Sequence, residues 1–348
     1  MSSSNATLRE DEIRPDHLMQ EQGLRFEADI ARLLERRGEF VRVACPACGS
    51  ESSRSAFQKY TLDYMVCSAC ETMYISPRPS PTLLEMYYST SENYAYWNKY
   101  IFPASESARR EKIFRPRAQR VVEICRRYGV ATRTLLEVGA GFGTFCEEMR
   151  GLGVFERLIA VEPTPSLAES CRRRGIDVIE KPIEQVTLEP GKVDVVASFE
   201  VIEHLFCPRD YLEQCARLLQ PGGMFIATCP NVQGFDIVVL GELSATVDVE
   251  HLNYFHPESL SLLVRSSGFD VLEVQTPGKL DAELVRKKVL AGEFDLGGQR
   301  FLKQILIDKW DQVGSAFQEF LAGNQLSSHM WLVARKQSSA AQLQPTSG

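Results

Sequence analysis

The chain has 348 residues, of which 44% are hydrophobic and 24% are charged, and its formal net charge is −7. This composition fits a globular protein with one large and one smaller domain, and the negative charge disfavours a nucleic-acid partner. No apolar run approaches the roughly 18 residues that span a bilayer, and the first residues do not read as a secretion signal, so we expect a cytoplasmic protein without membrane contact.

The two ends of the chain are polar and rich in serine. We expect residues 1 to about 16 and 337–348 to be frayed tails, because they cannot bury enough apolar surface to offset the entropy of ordering. Between about 17 and 37, apolar residues recur at roughly helical spacing, which predicts a lead-in helix that completes a first segment, 1–40.

Four of the ten cysteines form two C-x2-C pairs, Cys45 with Cys48 and Cys67 with Cys70, which are separated by eighteen residues. The other six are scattered, as expected in a reducing compartment. The pairs lie in a short, β-like segment, 41–76, and their spacing predicts a tetrahedral four-thiolate zinc site. A closed shell of four cysteines leaves no position for water, so we expect the zinc to be structural and to stabilise a module too small for its own core.

Residues 77–128 are predicted to form two or three helices that lead into the next domain. An aromatic cluster begins beside the second cysteine pair: Tyr74, Tyr87, Tyr88, Tyr94, Tyr96, Trp97 and Tyr100. These rings would either stack on a ligand or pack between domains. Only Arg54 and Lys59 are basic between the cysteine pairs, so we prefer a substrate-facing or dimerising role for the module over nucleic-acid binding.

From residue 129 to 336, apolar strands alternate with amphipathic helices. The strands LLEVG, RLIAVE, VDVVASF and GGMFIATCPN are separated by helices that begin near Phe142 and span 165–174 and 208–219. This alternation predicts an α/β fold, a doubly wound, mostly parallel sheet of seven strands with the small zinc module in front of it.

After the fifth strand, the pattern becomes less regular. We expect an irregular stretch over 230–256, a helix near 257–266, and a last strand, HMWLVARK, antiparallel to 269–276. The insertion 277–327 carries a helix that is apolar on one face, through Phe301, Ile305, Leu306, Trp310 and Phe317. This helix would be either a lid over the open end of the sheet or a packing helix.

The first strand ends in an acid, Glu137, followed by glycines at 139, 141 and 143 that open a helix. Glycines let the backbone approach a ligand, and ligands of such folds lie at the carboxyl ends of the strands, facing helix N-termini. A glycine-rich turn alone also fits a dinucleotide-binding dehydrogenase. However, the spacing here is G-x-G-x-G rather than G-x-G-x-x-G, which disfavours that alternative.

This segment, with an acid after the second strand and the turn Leu218–Gly223, resembles the class I (Rossmann-like) S-adenosylmethionine-dependent methyltransferases over about residues 115–335. The resemblance implies that Glu162 accepts hydrogen bonds from the ribose hydroxyls, Ile183 contacts the adenine and the end of strand four lies beside the sulfonium. The cofactor-binding set that it implies is Glu137, Gly139, Ala140, Gly141, Gly143, Glu162, Pro163, Ile183, Glu184, Ser198, Phe199 and Glu200. A fold that has lost its cofactor is the other alternative, although no element of the motif is broken.

Glu200, Glu203 and His204 follow strand four, and His251 lies in the loop after strand five. This E-x2-E-H pattern with a later histidine resembles the metal site of small-RNA 2′-O-methyltransferases and, in its first half, ubiquinone-pathway O-methyltransferases. The resemblance implies that the four residues hold Mg²⁺, which would orient an accepting hydroxyl. Alternatively, the acids only position the helix and the cofactor. Without a metal, His204 or His251 would be the general base in an in-line methyl transfer, or a structural histidine.

A zinc ribbon in front of such a domain resembles, in architecture, the sugar C-methyltransferases and related enzymes of glycan and natural-product pathways. We therefore expect a small-molecule acceptor: a hydroxyl of a sugar or glycan precursor or of a secondary metabolite, with O-transfer ahead of C- or N-transfer. The alternatives are an RNA or protein methyltransferase that uses the ribbon for recognition, and a non-catalytic zinc-binding scaffold. A homodimer is left open.

Overall fold

The computed structural model describes residues 8–338. The helices, in chain order, are α1 (Glu10–Ile13), α2 (Asp16–Glu35), α3 (Pro81–Thr90), α4 (Glu92–Tyr96), α5 (Phe102–Arg109), α6 (Arg115–Tyr128), α7 (Thr144–Leu152), α8 (Pro165–Arg173), α9 (Pro208–Leu218), α10 (Phe235–Leu240), α11 (Pro257–Ser266), α12 (Asp281–Leu290), α13 (Arg300–Lys303) and α14 (Trp310–Gly323). The strands are β1 (Phe40–Val41), β2 (Ser53–Lys59), β3 (Leu62–Cys67), β4 (Met73–Ile75), β5 (Arg78–Pro79), β6 (Thr134–Val138), β7 (Arg157–Val161), β8 (Asp177–Ile179), β9 (Val193–Phe199), β10 (Leu219–Pro230), β11 (Asn253–Tyr254), β12 (Phe269–Gln275) and β13 (His329–Lys336).

The chain divides into two compact units. Of the described residues, the first unit contains 8–113, Pro230–Pro257 and Gln275–Met330, and the second contains Phe114–Cys229, Glu258–Val274 and 331–338. The sequence analysis placed the insertion 277–327 within the sheet-bearing domain, whereas the structure groups these residues with the cysteine pairs in the first unit.

The second unit is built on a seven-stranded sheet with the order β12-β13-β10-β9-β6-β7-β8. The strands from β10 to β8 pair in parallel, and β12 and β13 form an antiparallel end, so the sheet is mixed. The predicted fold class and the antiparallel last strand are confirmed. The sequence analysis did not locate the short strand β8, because three partly exposed residues give little hydrophobic periodicity.

Helices cover both faces of this sheet. On one face, α6 and α7 bury Val121 and Phe145 against Val195 of β9 and Trp331 of β13. On the other face, Tyr211 of α9 contacts Phe225 of β10, with ring centroids 6.3 Å apart. Every residue of β9 is buried, as expected for a central parallel strand covered on both sides.

The first unit contains a four-stranded sheet with the order β11-β4-β3-β2 and a separate pair, β1 with β5. Three of the four strands come from the cysteine-bearing segment. The fourth, β11, comes from the stretch 230–256, which we expected to be irregular. That expectation was wrong for α10 and β11, because β11 has only two residues and is defined by a partner nearly 180 residues away in sequence, β4.

The segment that we considered as a lid forms α12, α13 and α14 with a π-helical turn over Gln304–Asp308. Leu306 and Leu321 are buried within the first unit against Ala282 and Val285 of α12 and Leu240 of α10, whereas Phe301, which we expected on the apolar face, is 70% exposed. The expected helix is thus present as α13 and α14, and part of its apolar face is buried. The lid role stays a prediction.

The N-terminal tail is shorter than expected. Residues 10–13 form α1, and Leu8 and Ile13 are buried, so part of the segment predicted to fray packs within the first unit. The lead-in helix is present as α2. Residues 1–7 and 339–348, which cover most of the remaining predicted tails, lie outside the described residues. Among residues 8–338, no helix combines the length and the hydropathy needed to cross a bilayer.

Candidate functional site

The glycine-rich loop connects β6 to α7 with three glycines in left-handed conformations. The φ angles are 76° at Gly139, 55° at Gly141 and 77° at Gly143, a region that side chains disfavour. A Cβ at Gly139 would lie 2.4 Å from Cγ2 of Val201, and one at Gly143 would lie 2.8 Å from Cδ1 of Ile176. A Cβ at Gly141 would meet no atom within 4 Å, so the backbone there faces open space. The loop is tightly packed at its ends and open in its middle.

Glu162 follows β7 and holds the glycine loop from the neighbouring strand. The Gly141 amide donates to Oε2 at 2.8 Å, and the Thr164 amide donates to Oε1 at 2.9 Å. The side chain is buried, with 5% of its surface exposed. Burial raises the pKa of Glu162, and the two amide hydrogen bonds oppose that rise. Each carboxylate oxygen has a second lone pair, so the group can also accept hydrogen bonds from a bound diol.

Glu137 lies in β6, just before the loop, with 3% of its surface exposed. Burial raises its pKa to about 8, although a hydrogen bond from Cys146 and the charge of Arg117 act in the opposite direction. Among the described residues, its Oε2 atom has no hydrogen-bond partner. A buried acceptor without a partner at the carboxyl end of a central strand is a feature of a ligand site.

Glu200 follows β9 and has a φ of 57°, an uncommon conformation for a residue with a side chain. The Thr228 hydroxyl donates to its Oε1 at 2.5 Å, and Nη2 of Arg117 lies 3.7 Å from the same oxygen. Backbone outliers of this kind cluster at functional sites. The guanidinium carbon of Arg117 also lies 4.3 Å from the ring centroid of Phe199, and burial lowers the pKa of Arg117.

The sequence analysis did not include Arg117 or Thr228 in the site. The spacing of three residues between Arg117 and Arg120, which stacks on Trp331 at 4.2 Å, puts both arginines on one face of α6. That face also carries the buried residues Val121 and Ala118. This apolar pattern indicates that the two arginines lie on the side of the helix that faces the core. Nothing in the local sequence indicates the contact of Thr228, because it comes from the parallel pairing of β10 with β9.

The remaining predicted cofactor residues differ in their surroundings. The Ser198 hydroxyl donates to the Val138 carbonyl at 3.2 Å, and the Phe199 ring packs against Phe145 at 4.8 Å, so both side chains are used within the domain core. Ala140 is buried at the end of β6, and Ile183 is buried in a short 3-10 helix, Ile183–Gln185. Glu184 and Pro163 are exposed. These positions surround the carboxyl ends of the strands, and their roles stay predictions.

The four residues considered for Mg²⁺ are divided between the two units. Glu203 and His204 form a 3-10 turn with Ile202 directly after β9, and Glu203 is 1% exposed. Glu200 precedes that turn, and its nearby arginine disfavours a divalent cation at its carboxylate. His251 belongs to the first unit. The magnesium hypothesis stays a prediction.

In the first unit, the ring of His251 is held by its own loop. Its Nδ1 lies 2.7 Å from the Thr246 carbonyl and 3.6 Å from Oδ2 of Asp248. A carbonyl can only accept, so Nδ1 carries the hydrogen and the lone pair of the neutral ring is on Nε2. The geometry therefore fixes which nitrogen can accept a proton.

The neighbouring Glu250 is half-buried beside residues of the helices that follow the cysteine pairs. The Tyr87 hydroxyl donates to its Oε1 at 2.8 Å, and the Asn93 amide donates at 3.3 Å. Burial, with the charge of Asp248, raises the pKa of Glu250 to about 8. Of the predicted aromatic cluster, Tyr87 and Tyr94 thus pack around this carboxyl group.

The four cysteines of the two pairs lie together in the first unit. The Sγ atoms of Cys45 and Cys70 are 3.5 Å apart, as are those of Cys48 and Cys67, and all four lie within 4.8 Å of one another. Tetrahedral zinc with bonds of about 2.3 Å requires sulfur atoms about 3.8 Å apart, which these distances bracket. None of the four is in a disulfide. The sequence analysis identified these residues correctly as a cluster.

Comparison with known proteins finds similarity to methyltransferases over part of the chain. A family profile described as "Methyltransferase domain" matches residues 106–274. The ubiquinone biosynthesis O-methyltransferase of Caulobacter vibrioides is 40% identical over 101 residues, which are 27% of this chain and 40% of that protein. The protein with the same name from Pseudomonas paraeruginosa is 29% identical over 184 residues, 47% of this chain and 78% of that protein.

Among solved structures, an S-adenosylmethionine-dependent methyltransferase from Archaeoglobus fulgidus matches 68% of this chain and 100% of its own, with 20% identity and a TM-score of 0.46. The matched part of the chain spans less than half the length of the Caulobacter relative. The matched segment contains the glycine loop, Glu162 and the turn after β9. Residues 106–274 are therefore similar to a methyltransferase domain, and the seven-stranded sheet of the second unit has a Rossmann-like strand order.

Proposed function

We propose that this protein transfers a methyl group from S-adenosylmethionine to a hydroxyl group of a small molecule. The observation that carries the proposal is the arrangement at the carboxyl ends of β6 and β7: an open glycine loop, Glu162 bound to it, and a buried oxygen of Glu137 that has no hydrogen-bond partner within residues 8–338. When bound, S-adenosylmethionine supplies an electrophilic methyl group on a sulfonium ion.

The residues of the second unit fit this cofactor by their chemistry. Glu162 has lone pairs left for the two ribose hydroxyls, and the backbone at Gly141 faces open space in which a ligand can lie close to it. The carboxyl group of Glu137 can accept from an ammonium group, which would also favour its ionised form. Ile183 offers a buried apolar surface for a base. Glu200, which precedes the turn to His204, is held by the Thr228 hydroxyl and lies near Arg117.

For the proton of the acceptor, we propose His251 as the general base. Its tautomer supports this role, because Nδ1 donates to the Thr246 carbonyl, so Nε2 is the basic nitrogen of the neutral ring. His204, on the turn after β9, is the second candidate. Two relatives named as O-methyltransferases of ubiquinone biosynthesis support oxygen as the acceptor atom. The acceptor class that we favour is a sugar or glycan precursor or a secondary metabolite.

We further propose that Cys45, Cys48, Cys67 and Cys70 hold a structural zinc ion. Four sulfur atoms within 4.8 Å of one another, on two knuckles of a small sheet, match a closed tetrahedral site. Such a site supplies folding free energy to a small module rather than a reactive metal.

Methyl transfer tests the proposal directly. Full-length protein is incubated with S-adenosylmethionine carrying a labelled methyl group and a panel of hydroxylated sugars, phenols and secondary metabolites, with RNA and protein as further acceptors. We expect label in a hydroxylated small molecule, and a loss of at least tenfold in kcat for His251→Asn with the affinity for S-adenosylhomocysteine unchanged.

His329→Asn serves as the matched control, because His329 lies at the start of β13 and has no assigned role. Label in RNA or protein alone would replace the proposed substrate class with the recognition alternative. If His204→Asn rather than His251→Asn lowers kcat, the base has been assigned to the wrong histidine. No transfer together with no cofactor binding would favour the scaffold.

A further inference from the structure

The loop that carries His251 is part of the cysteine-bearing sheet. Strand β11 begins two residues after His251 and pairs antiparallel with β4, which follows the second cysteine pair. The pairing aligns Asn253 with Tyr74 and Tyr254 with Met73, and the Ile75 amide donates to the Leu252 carbonyl at 3.0 Å. The segment from β10 to α11 therefore supplies a strand to the sheet of the cysteine-bearing segment.

Buried side chains strengthen this connection. The guanidinium of Arg78 donates from Nη1 to Oδ1 of Asn253 at 2.9 Å, and both side chains are excluded from solvent. The Tyr64 hydroxyl, on β3, donates to the Asp248 carbonyl at 2.7 Å. Hydrogen bonds of charged or hydroxyl groups in a buried setting are costly to break, because the groups left behind lose water as well as their partner.

His256 connects the loop to a metal-ligating residue directly. Its Nε2 lies 2.9 Å from the backbone carbonyl of Cys70, and its side chain is buried. Because the carbonyl accepts, Nε2 donates. This hydrogen bond to the backbone of Cys70 fixes the orientation of the loop relative to the Cys67–Cys70 knuckle.

The same connection extends to the ring of His251. Asp248 accepts from the amides of Glu250 and His251 through Oδ1, at 2.9 and 2.8 Å, and so closes the turn that presents His251. The Asp248 carbonyl is in turn held by Tyr64 of β3. A continuous set of hydrogen bonds therefore runs from the strands between the cysteine pairs to the turn that fixes the tautomer of His251.

We propose that the metal-bearing module is the support that positions His251, and that His256 is the positioning residue which ties the loop 246–256 to the Cys67–Cys70 knuckle. The catalytic consequence rests on the proposed function. Strand β11 has two residues and is too short to be stable alone. Metal binding supplies folding free energy to a site of this size, so loss of the ion loosens β3 and β4 and, with them, β11 and the turn at Asp248.

Hydrogen exchange of the full chain, before and after extraction of the metal with a chelator, tests the support. The metal content is measured at each stage. We expect peptides covering residues 62–75 and 246–256 to lose protection together by at least tenfold in exchange rate, and peptides covering β6 and β9 to be unchanged. If 246–256 keeps its protection while the cysteine-bearing segment loses it, the proposal is overturned.

His256 is tested by substitution in the metal-loaded protein. His256→Ala removes the donor to Cys70, whereas His256→Gln places an amide donor near the position of Nε2 and should restore the contact. Glu258→Gln is the matched control, because Glu258 is exposed and two residues away. We expect faster exchange over 246–256 in His256→Ala, rescue in His256→Gln, and no change in the control.

The tautomer of the His251 ring can be measured by NMR, and it would not change if His256 only stabilised the fold. The chain has five histidines, so a spectrum of histidine-labelled protein is simple, and His251→Asn assigns its signal. We expect a single Nδ1–H tautomer in the starting protein and mixed tautomers in His256→Ala. An unchanged tautomer in His256→Ala contradicts the positioning role. Binding of S-adenosylhomocysteine, measured on the same samples, tests the proposed function separately, because its predicted site lies in the second unit.

Discussion

Replacing Glu162 by glutamine removes one charged acceptor from the glycine loop while it preserves the size of the side chain. In the protein, the carboxylate accepts from the amides of Gly141 and Thr164 at 2.8 and 2.9 Å. A hydrogen bond to a charged group contributes about 1.5–3 kcal/mol. The amide oxygen of glutamine can keep one bond, but its NH2 group then faces the other N–H. Burial of the charge opposes these bonds, and a neutral glutamine avoids that cost, so we expect the unfolding free energy of the second unit to fall by about 1–2 kcal/mol.

The same substitution should weaken cofactor binding, because the oxygen that would accept from a ribose hydroxyl is replaced by a donor. A loss of about 1.4–3 kcal/mol corresponds to a roughly ten- to hundredfold higher Kd for S-adenosylhomocysteine. Urea unfolding and calorimetric titration measure the two effects. Glu169→Gln is the control, since Glu169 is exposed on the following helix. If Glu162→Gln matches this control in both measurements, the assigned role of Glu162 is wrong.

Three further substitutions test other parts of the account. Gly139→Ala should destabilise the protein by roughly 2–4 kcal/mol, because its Cβ would lie 2.4 Å from Cγ2 of Val201. The control Gly153→Ala, at a φ of 62° with open space around it, should show only the backbone strain of about 1–2 kcal/mol. Equal losses of stability in urea unfolding would contradict the packing argument. The pKa of Glu137 is raised by burial from 4.5 to about 8, so the native state keeps a proton that the unfolded chain releases in this window, and stability falls as the pH rises through it. Glu137→Gln should remove roughly 3–5 kcal/mol of this loss of stability between pH 4.5 and pH 8, as measured by urea unfolding at a series of pH values. If the unfolding free energies of the two proteins vary with pH in parallel, the assigned pKa of Glu137 is wrong. Cys67→Ser should release the zinc ion and destabilise the first unit. The control Cys207→Ser, at an exposed cysteine, should retain one zinc ion per chain in elemental analysis. Stoichiometric zinc in Cys67→Ser would exclude the four-thiolate site.

Much of the fold could be predicted from local sequence patterns. The buried run Val193–Phe199 and the turn from Glu137 to Gly143 have the periodicity and the glycine spacing of a parallel sheet with a ligand site, and the structure contains both. The cysteine pairs were equally informative, because a metal requires thiolates at a fixed spacing. These features depend on residues close together in sequence.

The parts that could not be predicted depend on partners far apart in sequence. Strand β11 exists because two residues of an irregular stretch pair with Met73 and Tyr74. The contact of Arg117 with Glu200 requires the packing of α6 on the sheet, and the position of Asp248 depends on the hydrogen bond from Tyr64 of β3 to its carbonyl. No hydrophobic period encodes such contacts, so a single sequence reveals the residues but not their pairing.

Calorimetric titration of the metal-analysed, full-length protein with S-adenosylhomocysteine tests the central claim most directly. The account predicts saturable binding at one site per chain with a micromolar Kd, lost or weakened at least tenfold in Glu162→Gln and unchanged in Glu169→Gln. The absence of binding by folded protein that retains its metal would contradict the assignment of a cofactor site to the glycine loop, Glu137 and Glu162.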